Sequence, residues 1–316
     1  MSDRDDELIL LAHGGGGIMM RELIDSIISG LGSPGSGVLQ DSALVDSPGS
    51  RLAFTTDSFV VSPLVFPGGD IGSLAVCGTV NDLAVCGARP LMLSLSFIIE
   101  EGFRISALEE IVCSIAKAAG EADVRIVTGD TKVVERGKAD GLFINTSGIG
   151  VVPEGIDLSS AGARPGDMVL VNGPIGEHGL AIMSLREGID FGSDLESDTA
   201  PLSRLIMPLL ESVKGIRAMR DATRGGVAAV LNEIAGDSGV SIRIDEESIP
   251  VSAAVRNGCE LMGYDPLHIA NEGKFIAIVA EESAEKALSF MRSHTLGRGA
   301  AIIGRVSNEP PGHVIM

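Results

Sequence analysis

The sequence predicts an α/β protein with mixed sheets that is built as two lobes. Three observations lead to this prediction: a length of 316 residues, alternating strand-like and helix-like apolar patterns, and a central stretch rich in Gly, Pro and Ser. A chain of this length is about twice an ordinary domain, so two domains with separate cores are expected. The stretch over residues 153–166 marks the boundary, which gives predicted domains over residues 1–153 and 164–316.

The first half alternates strands and helices after a glycine-rich loop that begins at His13. Apolar residues at helical spacing predict helices over residues 19–31 and 74–86, and Ser106 with Glu109 predicts a capping box that opens a third helix. Runs of strand-forming residues predict the strands. These cover residues 38–45, 52–61, 91–99, 124–128 and 142–151.

The second half repeats the mixture of strands and helices without a clear sequence repeat. Its predicted strands cover residues 168–172, 241–244, 275–280 and 301–306, and its predicted helices lie near residues 179–186, 202–213 and 226–235. The order of elements indicates α/β architecture but does not by itself distinguish parallel from mixed sheets.

The charge balance excludes several classes of function. The chain has 24 Lys and Arg against 43 Asp and Glu, a formal net charge of −19, and no long basic run that could neutralise a nucleic-acid backbone. With no Trp and a single Tyr, it also lacks aromatic platforms for stacked bases. A phosphate ligand must therefore arrive with a divalent cation or meet local Lys and backbone N–H groups.

The start of the chain is polar and acidic, unlike a signal peptide, and no apolar run is long enough to cross a bilayer. We therefore expect a cytoplasmic protein. Four cysteines are scattered in apolar surroundings without a C-x-x-C pair, which argues against a zinc site and favours buried thiols.

Aspartates that follow apolar runs, next to small or turn-forming residues, are the first candidates for chemistry. They are Asp41, Asp57, Asp82, Asp130 and Asp221. Each one alone is equally well explained as a turn or capping residue. Together they indicate a shared cation, because buried carboxylates require a counter-charge and hard oxygen ligands suit Mg²⁺ held with phosphate oxygens. Magnesium-bound ATP meets this requirement.

Asn81 and Asp82 lie inside one of the most apolar predicted helices of the chain. Both residue types are poor helix formers because their side chains compete for backbone hydrogen bonds. An exposed helical turn is a weak explanation in such apolar surroundings, so a ligand role is favoured for Asp82.

Two further segments offer groups for a phosphate. Lys132 directly follows Asp130 and Thr131, where its ammonium is either a solvated loop group or a partner for phosphate oxygens. The run from Asp221 through Thr223 opens a glycine-rich helix, whose free N–H groups favour an anion.

Glu272 precedes an apolar strand in the second half of the chain. It is either a turn residue or a general base working from the second lobe. The residues alone favour the turn.

Five long stretches of the sequence resemble the HypE family of hydrogenase maturation factors. They are FTTDSFVV at residues 54–61, PGGDIG at 67–72, CGTVNDLA at 77–84, GDTKVVERG at 129–137 and MRDATRGG at 219–226. The resemblance spans nearly the whole chain in order, and runs of this length are more specific than a short motif.

This resemblance implies the two-lobed fold of the aminoimidazole ribonucleotide synthetase superfamily. It further implies a homodimer formed through the sheet of the first lobe, with ATP and Mg²⁺ between lobes. The matched aspartates would surround metal and phosphates, with Asn81, Thr131 and Thr223 as further nucleotide contacts. Lys132 and Glu272 match residues implicated in the chemistry, which changes the expectation for Glu272 from turn residue to base.

In that family a carbamoyl group on the sulfur of a C-terminal cysteine is dehydrated to a thiocyanate, which supplies cyanide for the iron of [NiFe] hydrogenase. ATP phosphorylates the carbamoyl oxygen because an amide oxygen is otherwise a poor leaving group. The implied partners are the maturation proteins HypF, which carbamoylates, and HypC–HypD, which accept cyanide.

The sequence departs from the family pattern at its end, where residues 311–316 read PGHVIM and the Pro-Arg-Ile-Cys terminus is missing. We therefore expect either a truncated version or a relative that has lost the reaction. Two alternatives stay open at this point: another ATP-dependent enzyme of the superfamily, and a non-catalytic nucleotide-binding maturation partner. Selenophosphate synthetase is disfavoured, because its reactive residue belongs in the glycine-rich loop that here carries only His13 and glycines.

Overall fold

A computed structural model of the chain describes residues 17–19, 21–22, 43–47, 50–189 and 195–316. It divides into two compact units, Met1–Leu39 and Gln40–Met316. In the first unit, residues 18–19 and 21–22 are helical, and the Arg21 N–H donates a hydrogen bond of 3.1 Å to the Gly17 carbonyl oxygen. The rest of the helix predicted over residues 19–31, the His13 loop and Asp41 lie outside the described residues.

The N-terminal lobe of Gln40–Met316 is a five-stranded sheet with two helices on one face. Its elements are β1 (Ala43–Ser47), β2 (Ser50–Phe59), β3 (Val65–Phe66), β4 (Gly69–Asp70), α1 (Ile71–Val85), β5 (Arg89–Glu100), α2 (Ile105–Ala122), β6 (Arg125–Val134) and β7 (Leu142–Val152). The sheet order is β1-β2-β7-β5-β6, in which only β5 and β6 are parallel, and β3 pairs with β4 separately. The predicted mixed sheet is confirmed.

Helix α1 is buried on nearly all sides. Ile71 and Val76 pack with α2 and the sheet, whereas Ala84 and Val85 join a core that includes Leu205 and Phe275 of the second lobe. A helix that is apolar all round is expected only in such an interior position. The polar residues in its middle therefore need partners within the protein.

The starts of the two helices differ from the sequence prediction. Helix α1 begins at Ile71, three residues early, because the Asp70 carboxylate accepts from the Ser73 N–H at 2.8 Å and forms a capping box. The capping box predicted at Ser106 is wrong, because α2 begins at Ile105 after Arg104 and has no side-chain cap.

Strand β6 is longer than the predicted strand over residues 124–128 and forms the edge of the sheet. Asp130 therefore lies within an edge strand and not at a strand end, as the sequence suggested. Asp57 lies within β2 and Asp82 within α1, so Asp221, the last residue of a strand, is the one described aspartate of the five that fits the predicted setting.

The C-terminal lobe is a six-stranded mixed sheet with helices on both faces. Its elements are β8 (Met168–Val171), α3 (Glu177–Glu187), α4 (Ser203–Ser212), β9 (Ile216–Asp221), α5 (Gly226–Ser238), β10 (Ser241–Ile244), α6 (Ala253–Met262), β11 (Phe275–Val279), α7 (Glu281–Ser293), β12 (Ala301–Ser307) and β13 (His313–Ile315). The order is β13-β10-β12-β8-β11-β9. Because alternate residues of β11 face opposite ways, Ile276 packs with α5 and Ala277 packs with α4 and α7.

Four elements of this lobe, β9, β13, α6 and α7, are absent from the sequence prediction. Strand β9 pairs with β11 so that Asp221 lies opposite Phe275. This pairing brings the turn after β9 beside the loop that carries Glu272, which no local pattern indicated.

The cysteines only partly match the prediction of buried thiols. Cys77, Cys86 and Cys259 are buried, whereas Cys113 on α2 is exposed, so the prediction is wrong for Cys113. Within the described ranges, no helix is both long and apolar enough to cross a membrane.

Candidate active site

Acidic side chains from both lobes of Gln40–Met316 gather where β2 and α1 face the turn after β9 and the loop before β11. The N-terminal lobe contributes Asp57 and Asp82, and the C-terminal lobe contributes Asp221 and Glu272. The structure thereby brings together four residues that the sequence had proposed separately.

Asp57 and Asp82 are held by contacts within their own lobe. The Thr55 hydroxyl donates a hydrogen bond of 2.8 Å to Asp82, which links β2 to the middle of α1. Asp57 accepts from the Ser58 N–H at 2.7 Å. Burial raises the pKa of Asp57, and the Ser58 hydrogen bond and the Arg224 charge only partly oppose this. The carboxylate is thus in a setting that favours additional positive charge.

Arg224 crosses from the C-terminal lobe to the N-terminal lobe. Its guanidinium nitrogen lies 3.7 Å from the Asp57 carboxylate, and just over half of its side chain stays exposed. An arginine in this position offers planar donors to a phosphate while it remains paired with the acid.

The run from Asp221 to Gly226 forms the entry to helix α5, as the sequence predicted. Asp221 is buried, and Gly225 and Gly226 both have positive φ, at 75° and 63°. A Cβ on Gly226 would lie 2.4 Å from the Leu267 carbonyl oxygen, so only glycine fits there. The first turn of α5 presents N–H groups without intrahelical acceptors, which suits an anion.

Glu272 lies in a bend directly before β11, half-buried between the lobes. Its pKa is raised well above the ordinary value, first by burial and then by the charges of Asp221, Asp198 and Asp57, with Arg224 opposing. A carboxyl group whose pKa is raised in this way is suited to accept a proton near neutral pH.

The Asn81 side chain is hydrogen-bonded to the C-terminal lobe. Its amide nitrogen donates to the carbonyl oxygens of Ala200 and Glu272, both at 3.1 Å, and its amide oxygen accepts from the Leu202 N–H at 2.8 Å. These three bonds use the main chain of the C-terminal lobe. The nucleotide contact expected from the sequence stays a prediction for Asn81, and the geometry favours a different role.

Asp130, Thr131 and Lys132 lie apart from the other candidates in a single chain. They belong to edge strand β6, which is three strand spacings from β2, or about 14 Å. The Lys132 ammonium lies 3.8 Å from the Asp130 carboxylate, and both side chains are exposed. Asp130 and Lys132 occupy the face of the sheet that α1 and α2 leave open, because Asp130 pairs with Ser96 in β5, between the core-facing Leu95 and Phe97. Thr131 pairs with Phe97 and lies on the opposite face.

No three Asp, Glu, His or Cys side chains of the described ranges converge into a ready-made metal site. The metal-ligand roles of the five aspartates therefore stay predictions, and Asp41 lies outside the described residues. A divalent cation at Asp57 and Asp82 would complete its shell with phosphate oxygens and water, which is usual for Mg²⁺. The net negative charge of the cluster fits such an ion.

Sequence reasoning missed Asp198, Arg224 and Lys274. Lys274 Nζ lies 2.9 Å from Asp198, whose side chain is almost fully buried. Arg224 belongs to a stretch that already resembled the family, so its charge was a usable signal. Asp198 carried no such signal, because its neighbours Ser197 and Thr199 are typical of a solvated loop.

Two family models match the chain. The N-terminal domain of AIR synthase related proteins matches residues 39–152, and the C-terminal domain of the same proteins matches residues 164–316.

Individual relatives narrow the assignment. The carbamoyl dehydratase HypE of Bradyrhizobium diazoefficiens is 55% identical over 296 residues, which covers 93% of this chain and 86% of that protein. The HypE of Rhodobacter capsulatus is 50% identical over 315 residues, covering 98% of this chain and 92% of that protein. The chain belongs to the HypE family. Both of these relatives carry the name carbamoyl dehydratase, an ATP-dependent enzyme, so the resemblance is confirmed.

Solved HypE structures share the fold. A HypE–HypF complex superposes with a TM-score of 0.89 at 51% identity, covering 94% of this chain and 95% of that chain. A HypE structure in complex with ATP superposes with a TM-score of 0.83 at 48% identity, and the match covers 97% of this chain and 93% of that chain. A thiamine monophosphate kinase from Aquifex aeolicus, 21% identical with a TM-score of 0.69 over 93% and 96%, shows the fold alone. The predicted two-lobed fold of this superfamily is confirmed.

Proposed function

We propose that this chain acts in [NiFe] hydrogenase maturation as an ATP-dependent carbamoyl dehydratase, with Glu272 as its general base. The observation that carries the proposal is the position of Glu272, half-buried between the lobes beside the acidic cluster of Asp57, Asp82 and Asp221. Membership of the HypE family gives the reaction class, and the described geometry supports the role of each residue.

The reaction converts an S-carbamoyl cysteine into a thiocyanate in two steps. The carbamoyl oxygen attacks the terminal phosphorus of ATP, ADP leaves, and one nitrogen proton is lost. Cleavage of the C–O bond then expels phosphate while the second nitrogen proton is removed, which leaves the carbon–nitrogen triple bond. Glu272 is placed to take a nitrogen proton, because its raised pKa makes a carboxylate at this position a stronger base than usual.

The nucleotide phosphates are proposed to lie between Asp57 and Asp82 on one side and the N-terminus of α5 on the other. Thr223 and Arg224 in the turn before α5 offer donors to them. Three of the four described aspartates predicted as metal ligands, Asp57, Asp82 and Asp221, are proposed to hold Mg²⁺. When bound, the ion would neutralise phosphate charge and support departure of ADP.

A second copy of the chain is proposed to complete the site. In one chain Asp130, Thr131 and Lys132 lie on edge strand β6, separated from Asp57 by two intervening strands. The open face of this sheet carries an apolar row in which Phe54, Ile149 and Met92 are aligned across three strands. Phe54 is exposed and the other two are partly exposed, and an apolar row of this kind is typical of a protein interface. Pairing of two such faces would present Lys132 of one copy to the phosphates bound by the other.

The other partners follow from the family. A HypE–HypF complex has been solved for a protein 51% identical to this chain. We propose that HypF carbamoylates this chain as well and that HypC–HypD accept the cyanide. The cytoplasmic location expected from the sequence stays a prediction.

The test uses the full chain extended by a tail that ends in cysteine, carbamoylated on that sulfur. Addition of Mg-ATP is expected to produce ADP and a thiocyanate, seen by intact mass as the loss of one water from the carbamoylated protein. Glu272→Gln is expected to lower kcat by about 10² to 10⁴, the usual contribution of a general base, and to leave ATP affinity nearly unchanged.

Glu260→Gln is the matched control, because Glu260 lies on α6 away from the site and should leave kcat unchanged. Full activity of Glu272→Gln would remove Glu272 from the mechanism. Binding of Mg-ATP without any product from the carbamoylated tail would instead favour a non-catalytic nucleotide-binding partner.

A further inference from the structure

One stretch of main chain, residues 195–202, passes between the two lobes and contacts both of them. We call it the interlobe segment. On the N-terminal side, the Ser197 N–H donates to the Pro67 carbonyl oxygen at 2.8 Å, and Asn81 of α1 bonds to the main chain of Ala200 and Leu202. The segment is largely buried at both of its ends.

On the C-terminal side, Asp198 of this segment binds the loop that carries Glu272. Its two carboxylate oxygens accept from the N–H groups of Glu272 and Gly273, both at 3.1 Å. A carboxylate that accepts two successive N–H groups fixes the orientation of the peptide between them. Asp198 therefore fixes the main chain at the residue from which the Glu272 side chain extends.

The carbonyl group of Glu272 is bonded by a residue of the N-terminal lobe. Asn81 donates to the Glu272 carbonyl oxygen at 3.1 Å. The N–H and the carbonyl of Glu272 are thus both engaged by side chains, one from the interlobe segment and one from α1. Side chains, and not main-chain pairing with a strand, therefore fix the main chain of Glu272.

The charge of Asp198 is compensated inside the protein. Lys274 Nζ lies 2.9 Å from the carboxylate and 3.5 Å from Glu177, and the side chains of Asp198 and Lys274 are 2% and 10% exposed. A buried carboxylate persists only with such a counter-charge and with its oxygens hydrogen-bonded. The pair is therefore built into the fold and is not a surface contact.

Close packing removes the remaining freedom of the bend. A Cβ on Gly273 would lie 1.9 Å from the Asp198 carbonyl oxygen, and a Cβ on Gly68 would lie 2.6 Å from the Ser197 carbonyl oxygen. The interlobe segment therefore fits between two glycines, one from each lobe, at a distance that no other residue type allows.

We propose that Asn81 and Asp198 are positioning residues, which hold the Glu272 main chain in the orientation required for proton removal and link that orientation to the relative placement of the lobes. The proposal rests on the proposed function, in which Glu272 is the base. Both residues bond directly to the main chain of Glu272, so we expect both to act through Glu272.

The test measures kcat, ATP affinity and unfolding midpoints for Asn81→Asp and Asp198→Asn on the full chain extended by the carbamoylated cysteine tail. Asn81→Asp keeps the shape but removes both donated bonds, and Asp198→Asn removes one acceptor and the charge that Lys274 needs. Because small displacements of a catalytic group are costly, kcat is expected to fall by about 10²-fold, with the Kd for Mg-ATP within about threefold of the original.

Asn232→Asp on α5 and Asp157→Asn are matched controls, since Asn232 and Asp157 are exposed and lie outside the site. Both should keep kcat within about twofold. If Asn81→Asp fails to fold, Asn81→Ala is used in its place, because it removes the same bonds without adding a charge.

The decisive measurement is a double-mutant cycle with Glu272→Gln. If Asn81 and Asp198 act through Glu272, either substitution adds less than about threefold to the loss that Glu272→Gln causes alone. Independent, multiplicative losses would overturn the positioning role, and so would wild-type kcat in both single variants. Wild-type kcat in Glu272→Gln would instead overturn the proposed function, so the two failures are distinguishable.

Discussion

Asn81 in the middle of helix α1 donates a hydrogen bond of 3.1 Å to the carbonyl oxygen of Glu272, which lies 191 residues later in the other lobe. This contact explains why a poor helix former lies inside an apolar helix. The Asn81 side chain supplies a hydrogen bond to the Glu272 carbonyl oxygen, which the bend itself does not provide. It also joins the lobe that carries Asp57 and Asp82 to the residue proposed as the base.

Complementation between inactive subunits tests whether Lys132 and Glu272 act from different copies. Lys132→Ala and Glu272→Gln are each expected to be inactive alone. After subunit exchange, half of the dimers would be mixed and one of their two sites intact, so activity should return to about a quarter of the original.

The exchange is followed by thiocyanate formation per mole of protein. A mixture of Glu272→Gln with the Lys132→Ala, Glu272→Gln double variant is the control, because no intact site can form from these two chains. Absence of recovery in the first mixture, with exchange verified by mass, would place both residues in the same chain's site.

A charge in the open face of the N-terminal sheet is expected to abolish dimerisation. Phe54 lies on this face beside Ile149 and is exposed in the single chain. Phe54→Glu would place an unpaired carboxylate inside the proposed interface, which is strongly unfavourable. Sedimentation velocity should then give a monomer that retains its fold.

Leu261→Glu serves as the comparison, because Leu261 on α6 is exposed and far from that face. It should leave the oligomeric state unchanged. A Phe54→Glu variant that sediments like the original chain would exclude this face as the interface.

His178 is expected to make stability depend on pH between about 6.5 and 4. Its ring nitrogen Nδ1 lies 2.8 Å from the Ser197 hydroxyl, and burial lowers the pKa of His178 to about 4 from the ordinary 6.5. In this window the unfolded chain binds a proton that the folded chain does not, so stability falls as the pH falls.

Since one pKa unit corresponds to 1.36 kcal/mol, the contribution of His178 lost by pH 4 is roughly 3 kcal/mol. Urea unfolding of the original chain and of His178→Gln at a series of pH values measures it. The difference between the two free energies of unfolding should be constant above pH 7 and change steadily below about 6.5. Parallel curves through the whole range would contradict the assignment.

Gly226→Ala is expected to damage the entry to helix α5. Gly226 has φ 63°, and an added Cβ would meet the carbonyl oxygens of Leu267 and Ile269 at 2.4 and 2.6 Å. The free energy of unfolding should fall by roughly 2 kcal/mol or more because backbone strain and overlap add. ATP affinity should fall too, since the N-terminus of α5 would move.

Gly236 in the same helix provides the matched substitution. Nothing lies within 4 Å of a Cβ at Gly236, so Gly236→Ala should raise the free energy of unfolding by about 0.5–1 kcal/mol. Equal effects of the two substitutions in thermal unfolding and ATP titration would refute the special role of Gly226.

The sequence by itself determined many of the strands and helices and identified most of the residues that are candidates for catalysis and binding. Apolar spacing fixes the local backbone and the buried face, so α1, β5 and β7 were predicted within a few residues. The family stretches likewise marked Asp57, Asp82 and Asp221, and the resemblance as a whole implied a role for Glu272. All four lie near the meeting point of the two lobes.

Only the tertiary structure decided how those groups are held and which of them meet. Strand order places Asp130 and Lys132 on the far edge of the sheet, and the crossing of the interlobe segment gives Asp198 its partners. Local periodicity does not encode these contacts, because they join residues that approach one another only after the two lobes have packed. Asn81 is the clearest case: its neighbours in sequence are those of a buried helix, and its function depends on a carbonyl in the other lobe.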